Sequence, residues 1–383
     1  MWLPVRYMAN RVLASGLAHT VDVSQDPGAG PPVASASTMP SELDPRRVRR
    51  RLLEFAAFCV VVGVFLVTGP GLGELRRDVE NASPGWLVVG VFLEVLSALS
   101  YVVTFRAVFC PRMRWRLSYQ IGMAEQGANS VLSVSGAGGL ALGAWALNRG
   151  GMSADEIGRK SVAFFFLTSL PNVAGVVVFA ALYAVGVFSP VQAPVVTYGF
   201  GAVALLAIVI VAVLPKFLKT TPDPHPSRAG RIAAALRFAR TSLGQGVSDA
   251  ILMVRHRSLA VLLGSLGIVA FDLAVLGVSF RAFGHTPPFG VLVLGYLIGQ
   301  LGGNLPTPGG IGGVDLGLVG MFTLYHQPLA VTTAAVLTYH AIALWVPGLL
   351  GSVAFVQLRR TLLRAKQPAA VCSPLAEPVV TVS

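Results

Sequence analysis

The chain has 383 residues, 54% of them hydrophobic and 12% charged, with a formal net charge of +12 and a mean hydropathy of +0.70. Soluble domains carry about 25% charged residues, so this composition excludes an ordinary soluble protein and indicates one built into a membrane. The excess of Lys and Arg flanks apolar stretches and does not form a basic face, which argues against nucleic-acid binding and for the charge bias of membrane loops.

Residues 1–45 are rich in Pro, Ser, Ala and Gly without periodicity and read as a disordered cytoplasmic tail. No clean apolar core follows a basic start, so they do not read as a cleaved signal peptide. The membrane domain is expected over 46–366, with a second short tail over 367–383. Six apolar stretches reach the roughly 20 residues that span a hydrocarbon core. They are 52–72, 85–105, 161–188, 194–214, 259–280 and 330–358. Two further stretches, 117–147 and 289–325, are apolar but broken by glycine clusters.

Arg46, Arg47 and Arg49 to Arg51 precede the first stretch and set the N-terminus in the cytoplasm. Arg106, Arg112, Arg114 and Arg116 follow the second, and Arg149, Arg159 and Lys160 follow 117–147. Both groups belong on the cytoplasmic side, so 117–147 enters and leaves by one face. The loop 215–258 is again basic and cytoplasmic, as are Arg359, Arg360, Arg364 and Lys366 after the last stretch. The stretch 289–325 therefore enters and leaves from outside. Each broken stretch is read as a re-entrant helical hairpin. Two full crossings satisfy the same charge count, and for 289–325 that alternative stays open. The expected fold is thus an all-α polytopic protein of the cytoplasmic membrane, with about six spans, two opposed hairpins and both termini inside.

Ile232, Leu236, Ala239, Leu243, Val247, Ala250 and Val254 recur at steps of three and four. They predict an amphipathic helix that lies on the membrane surface or packs on the inner ends of the spans. Pro171 with Asn172 predicts a kink in the third span.

The segment 304–313 reads Asn-Leu-Pro-Thr-Pro-Gly-Gly-Ile-Gly-Gly, which no straight helix accommodates. Non-helical backbone at membrane depth persists only against protein or a water-filled cavity. Gly136-Ala-Gly138-Gly139-Leu-Ala-Leu142-Gly143 aligns with Gly310-Ile-Gly312-Gly313-Val-Asp-Leu316-Gly317 at five of eight positions, and Gly127-Ala-Asn129 with Gly302-Gly-Asn304. Together with the opposed entry sides, this suggests an inverted repeat, the arrangement of transporters whose site lies between broken helices.

These residues resemble the membrane domain of the lysylphosphatidylglycerol synthase and flippase-like family. The resemblance rests on 304–312, on Asn129 with Leu147-Asn-Arg149-Gly150, and on Tyr339-His340 with Leu344-Trp345-Val-Pro347. It implies a membrane fold with two re-entrant hairpins that moves an aminoacylated phospholipid between leaflets. The soluble aminoacyl-transferring domain of its best-understood members has no counterpart in the short tail here, so synthase activity is not implied. Asp315 stands where the family usually has Glu, His340 where it often has Arg, and no Arg lies near Gly143.

The candidate substrate-binding residues are Glu125, Asn129, Asn304, Thr307, Gly309, Gly310, Gly312, Asp315 and His340. Ionisable groups inside spans are costly and so are candidates by default. Asp315 is a site residue or a helix cap. Asn129 and Asn304 cap the helix breaks and then face ligand. Glu125 pairs with a substrate amine, with His340 or across helices. Glu94 and Asp272, near the middles of their spans, suit structural pairing or a proton relay. No catalytic arrangement, cofactor site or metal-ligand spacing is visible, and three cysteines without CxxC give neither a disulfide framework nor a zinc site. The functional expectation is translocation of an anionic phospholipid or polyprenyl-linked lipid. The alternatives are a membrane enzyme modifying a head group, and a non-catalytic scaffold for cell-envelope enzymes.

Overall fold

A computed structural model describes residues 83–132, 137–188, 193–217, 231–304, 313–364 and Cys372. Among these, five helices are long and apolar enough to cross a membrane. They are α1 (Pro84–Phe109), α4 (Ala154–Ala184), α5 (Pro194–Phe217), α7 (Leu259–Ala282) and α10 (Leu329–Arg364). They coincide with five of the six expected spans; the sixth, 52–72, lies outside the described residues, as does the tail 1–45. Helix is the only open-ended element whose backbone hydrogen bonds all close within the segment, which is why apolar runs of this length fold so. The ends obey ordinary rules. Pro84 opens α1, and the Ser153 hydroxyl accepts from the Glu156 N–H at the start of α4 (3.3 Å). Helix α4 runs on through Pro171.

Helices α1 and α7 form the antiparallel centre of the bundle. The Ser83 N–H donates to the Ala282 carbonyl (2.9 Å), and the Ser97 hydroxyl donates to the Ile268 carbonyl (3.3 Å). A Cβ added at Gly267 would lie 2.6 Å from Ser100 Oγ. Small residues thus let the two backbones approach, the usual device where lipid removes the hydrophobic drive between helices.

Two shorter helix pairs pack against this centre. Helix α2 (Trp115–Leu132) runs antiparallel to α3 (Ala137–Arg149), with Gly143 against the Glu125 carboxylate. Helix α8 (Phe289–Gly299), extended by a 3-10 turn over Gln300–Asn304, runs antiparallel to α9 (Gly313–Leu324). Gly295 lies against the Phe322 ring and Gly299 against Leu318. At 1.5 Å per residue α3, α8 and α9 are each under about 20 Å long, short of a core of about 30 Å.

The two pairs anchor separate cores. One joins Phe105, Phe109, Ile121, Met123, Leu142, Leu147, Phe164 and Leu358. The other joins Leu276, Phe280, Leu294, Leu297, Leu318, Phe322, Tyr325 and Val336. Helix α7 enters the first through Val261, near its start, and the second through Val275 to Phe280, near its end. Helix α10 does the reverse, with Val336 in the second core and Leu358 in the first. The cores therefore occupy opposite ends of the long helices.

The amphipathic segment is α6 (Arg231–Arg255). Of the two placements the sequence left open, the structure has it packed on the start of α4. Val247 and Ala250 are buried, a Cβ at Gly246 would meet the Arg159 carbonyl and Val162, and Arg159 pairs with Asp249 (3.4 Å). One expectation fails: Cys110 is paired with Cys372, 262 residues away, with Cα atoms 5.9 Å apart. Spacing along the chain carried no sign of it, because the meeting of Cys372 with Cys110 is a tertiary contact.

Helix α2 crosses α10 where Gly127 meets Gly351 backbone to backbone. Gly351→Val should destabilise by about 1–3 kcal/mol or more, because neither backbone can yield. Gly320, with open space around it, should accept Ala without loss. Thermal unfolding of the two variants in detergent checks the contrast.

Candidate functional site

Helix geometry places several polar side chains at one depth. Glu94 lies about 15 Å along α1 from Pro84, and Asp272 about 15 Å along α7 from Ala282. His340 lies about 16 Å from the start of α10. Those three helix ends lie on the same side of the bundle, so the groups share a level about halfway through a core of about 30 Å.

Asp272 is the hub. Its Oδ2 accepts from the Tyr339 hydroxyl of α10 (2.7 Å) and from the Tyr296 hydroxyl of α8. The Gln300 side-chain amide donates to the same oxygen (3.4 Å) and to the Tyr339 hydroxyl (2.9 Å). Tyr296 and Gln300 are one helical turn apart, which puts both on one face of the α8 segment. Glu94 lies within electrostatic reach of Asp272, Tyr296 and Tyr339. It is 5% exposed, and its Oε2 has no hydrogen-bond partner.

A second contact lies beside this hub. His340 Nδ1 and Asp315 Oδ1 are 2.8 Å apart, joining α10 to the first turn of α9. Neither side chain is sealed, with 20% exposure at His340 and 13% at Asp315. Neighbouring positions of α10 thus hold two carboxylates, Tyr339 reaching Asp272 and His340 reaching Asp315.

The first pair contributes differently. The Gly139 N–H donates to Asn129 Oδ1 (3.0 Å), so Asn129 caps the start of α3. Glu125 is buried beside Gly143, with Tyr101 hydrogen-bonded to its carboxylate. It does not meet His340. The Gly127–Gly351 crossing puts Glu125 level with the second half of α10, about 20 Å along that helix from His340. That reading of Glu125 is therefore corrected, and the cause is register, which no local pattern reports. Asn304 closes the 3-10 turn, while Thr307, Gly309, Gly310 and Gly312 lie outside the described residues. Among the described residues no cluster of His, Cys, Asp and Glu has the make-up of a metal site.

Sequence reasoning passed over Tyr101, Tyr296 and Gln300. For the last two a signal existed. Within the apolar run Phe289–Gly299 the Tyr hydroxyl is the one side-chain hydrogen-bonding group, and Gln300 follows it by four.

Residues 51–351 match the family described as the Lysylphosphatidylglycerol synthase TM region. The chain belongs to this family. No curated protein and no solved structure matches it. Membership agrees with the resemblance read from 304–312 and Tyr339-His340, and it places the protein in a multi-pass, membrane-embedded, lipid-related family.

Tyr339→Phe would leave Asp272 and Gln300 each short of one partner. A hydrogen bond to a charged group is worth about 1.5–3 kcal/mol, so the variant should unfold at a measurably lower temperature in detergent. Tyr198→Phe, on the partly exposed face of α5, should match the parent in the same measurement.

Proposed function

We propose that this protein moves a lipid or lipid-linked head group between the leaflets of the cytoplasmic membrane, without chemical change to it. One observation carries the reading. The two short helix pairs pack in cores at opposite ends of the bundle, and their described inner ends approach the level of the hub: the α8 segment reaches it at Gln300, bonded to Tyr339, and α2 crosses α10 with Gly127 at Gly351 and Ser130 at Gly348. Such pairs act as re-entrant hairpins, α2–α3 entering from the cytoplasm and α8–α9 from outside. Basic residues around 106–116, 149–160 and 359–366 support that orientation and the cytoplasmic placement of both termini.

The inverted repeat gains support from packing. In each pair the matched glycines make the close approach: Gly139 and Gly143 against α2, Gly313 and Gly317 against the α8 segment. The head group would sit between the hairpin ends, with acyl chains left in lipid. The N-terminal N–H groups of α3 and α9 suit a phosphate, as an anionic phospholipid or polyprenyl-linked lipid would bring. Asp315, Asp272 and Glu94 would face any amine on the head group. Asn304, Thr307, Gly309, Gly310 and Gly312 would complete the outer half of the site.

The rival reading, a membrane enzyme acting on a head group, has one observation in its favour: the 2.8 Å contact of Asp315 with His340 is an acid–base geometry. Reconstitution in liposomes with labelled phospholipids and polyprenyl phosphates separates the two. Leaflet exchange above empty liposomes, reduced about tenfold in Asp315→Asn (about 1.4 kcal/mol), is the expected result. Covalent turnover of a lipid, lost in the same variant, would replace transport with enzymology. Cysteines placed at Thr307 and Ser135 in a Cys-free background should react with impermeant reagents from outside and from inside, respectively.

A further inference from the structure

We propose that Glu94 is a proton-binding group at mid-membrane, held by the fixed charge of Asp272, and that its loading and release drive the lipid movement proposed above. The inference rests on that reading only in its last clause; the proton site stands on the geometry of the hub.

The hub holds two carboxylates but is short of donors. Tyr296 and Tyr339 commit their single hydroxyl protons to Asp272, and Gln300 divides its amide between Asp272 and Tyr339. All three bonds to Asp272 fall on its Oδ2. Glu94 faces the same cluster from α1, 5% exposed, with Oε2 unpartnered. A buried charge without hydrogen bonds is among the costliest arrangements in a protein interior. The usual resolution of two carboxylates in one apolar space is a proton on one of them. Of the hub's carboxylate oxygens, Glu94 Oε2 is the one that is buried with no hydrogen-bond partner, and we place the proton there.

The other charged or titratable groups near the hub do not supply that proton's counterpart. On α10 His340 turns to Asp315 of α9. On α1 the next ionisable group is Tyr101, bound to Glu125 of α2. The polar residue on the facing stretch of α4 is Asn172, which donates to the Leu297 carbonyl (3.4 Å). No Lys or Arg of the described residues reaches the hub. Helices α1 and α7 each carry one carboxylate to their crossing, so a proton on Glu94 neutralises the contact and its departure leaves two like charges across it. That change acts on the α1–α7 contact at the centre of the bundle. The step is balanced: one proton binds Oε2 from one side and leaves to water on the other.

The test is infrared difference spectroscopy of the full-length protein in liposomes, stepped between acid and alkaline buffer. The parent should give a pH-dependent protonated-carboxyl C=O band. That band should vanish in Glu94→Gln, move in frequency in Glu94→Asp, and persist in Glu125→Gln and Asp315→Asn. Its persistence in Glu94→Gln, or its absence from the parent, overturns the proposal. Loss of the band on adding sodium at constant pH would also overturn it, in favour of a metal cation. If leaflet exchange occurs, an imposed pH difference should alter its rate in the parent and not in Glu94→Gln. A rate indifferent to the gradient in the parent overturns the driving role. Absence of exchange altogether counts against the lipid reading and leaves the spectroscopic result standing.

Discussion

The contact of α1 with α7 is the constraint on which the rest depends. Two apolar helices gain little from meeting in lipid, since lipid tails solvate them as well as they solvate each other. Their association therefore needs small residues and shared hydrogen bonds. Ser97, Ser100 and Gly267 supply both. The closeness they allow brings Glu94 and Asp272 into one apolar interior, and that in turn demands donors. Tyr296, Gln300 and Tyr339 meet the demand, and they come from α8 and α10. The polar centre thus fixes how the second helix pair and the last span dock on the first.

The short pairs answer a different constraint. A helix that stops inside a membrane exposes N–H and C=O groups that lipid cannot satisfy. At the start of α3 the Asn129 side chain takes up one such donor. Elsewhere the answer is close packing, with Gly302 and Gly317 pressed backbone to backbone. The described ends of these short helices are held by glycine contacts and a side-chain cap.

Periodicity and charge carried a good part of this. Apolar length gave α1, α5 and α7 nearly to their ends, while α4 starts at Ala154 rather than 161 and α10 runs on to Arg364 rather than 358; Gly138, Gly139 and Gly143 of the first glycine cluster lie within α3. Glu94, Asp272, Asp315 and His340 stood out because ionisable groups in apolar runs are rare. What local pattern did not carry was partnership. Pairing with His340 was one of three readings of Glu125, yet the two lie about 20 Å apart along the bundle. Tyr296 went unnoticed in its apolar run, yet its hydroxyl binds Asp272. Cys110 and Cys372, at remote positions in the chain, are paired.

By itself the sequence determined that the protein lies in a membrane, which segments form its long helices, and which residues are too polar for lipid. Those are properties of single segments meeting one solvent, so composition and period suffice. Only the tertiary structure decided that Asp272 collects two tyrosines, that Asp315 meets His340, and that Glu94 is left without a donor. Each of those depends on the register between helices distant in the chain. That register is set by a few close glycine contacts, whose effect is invisible until both partners are in place.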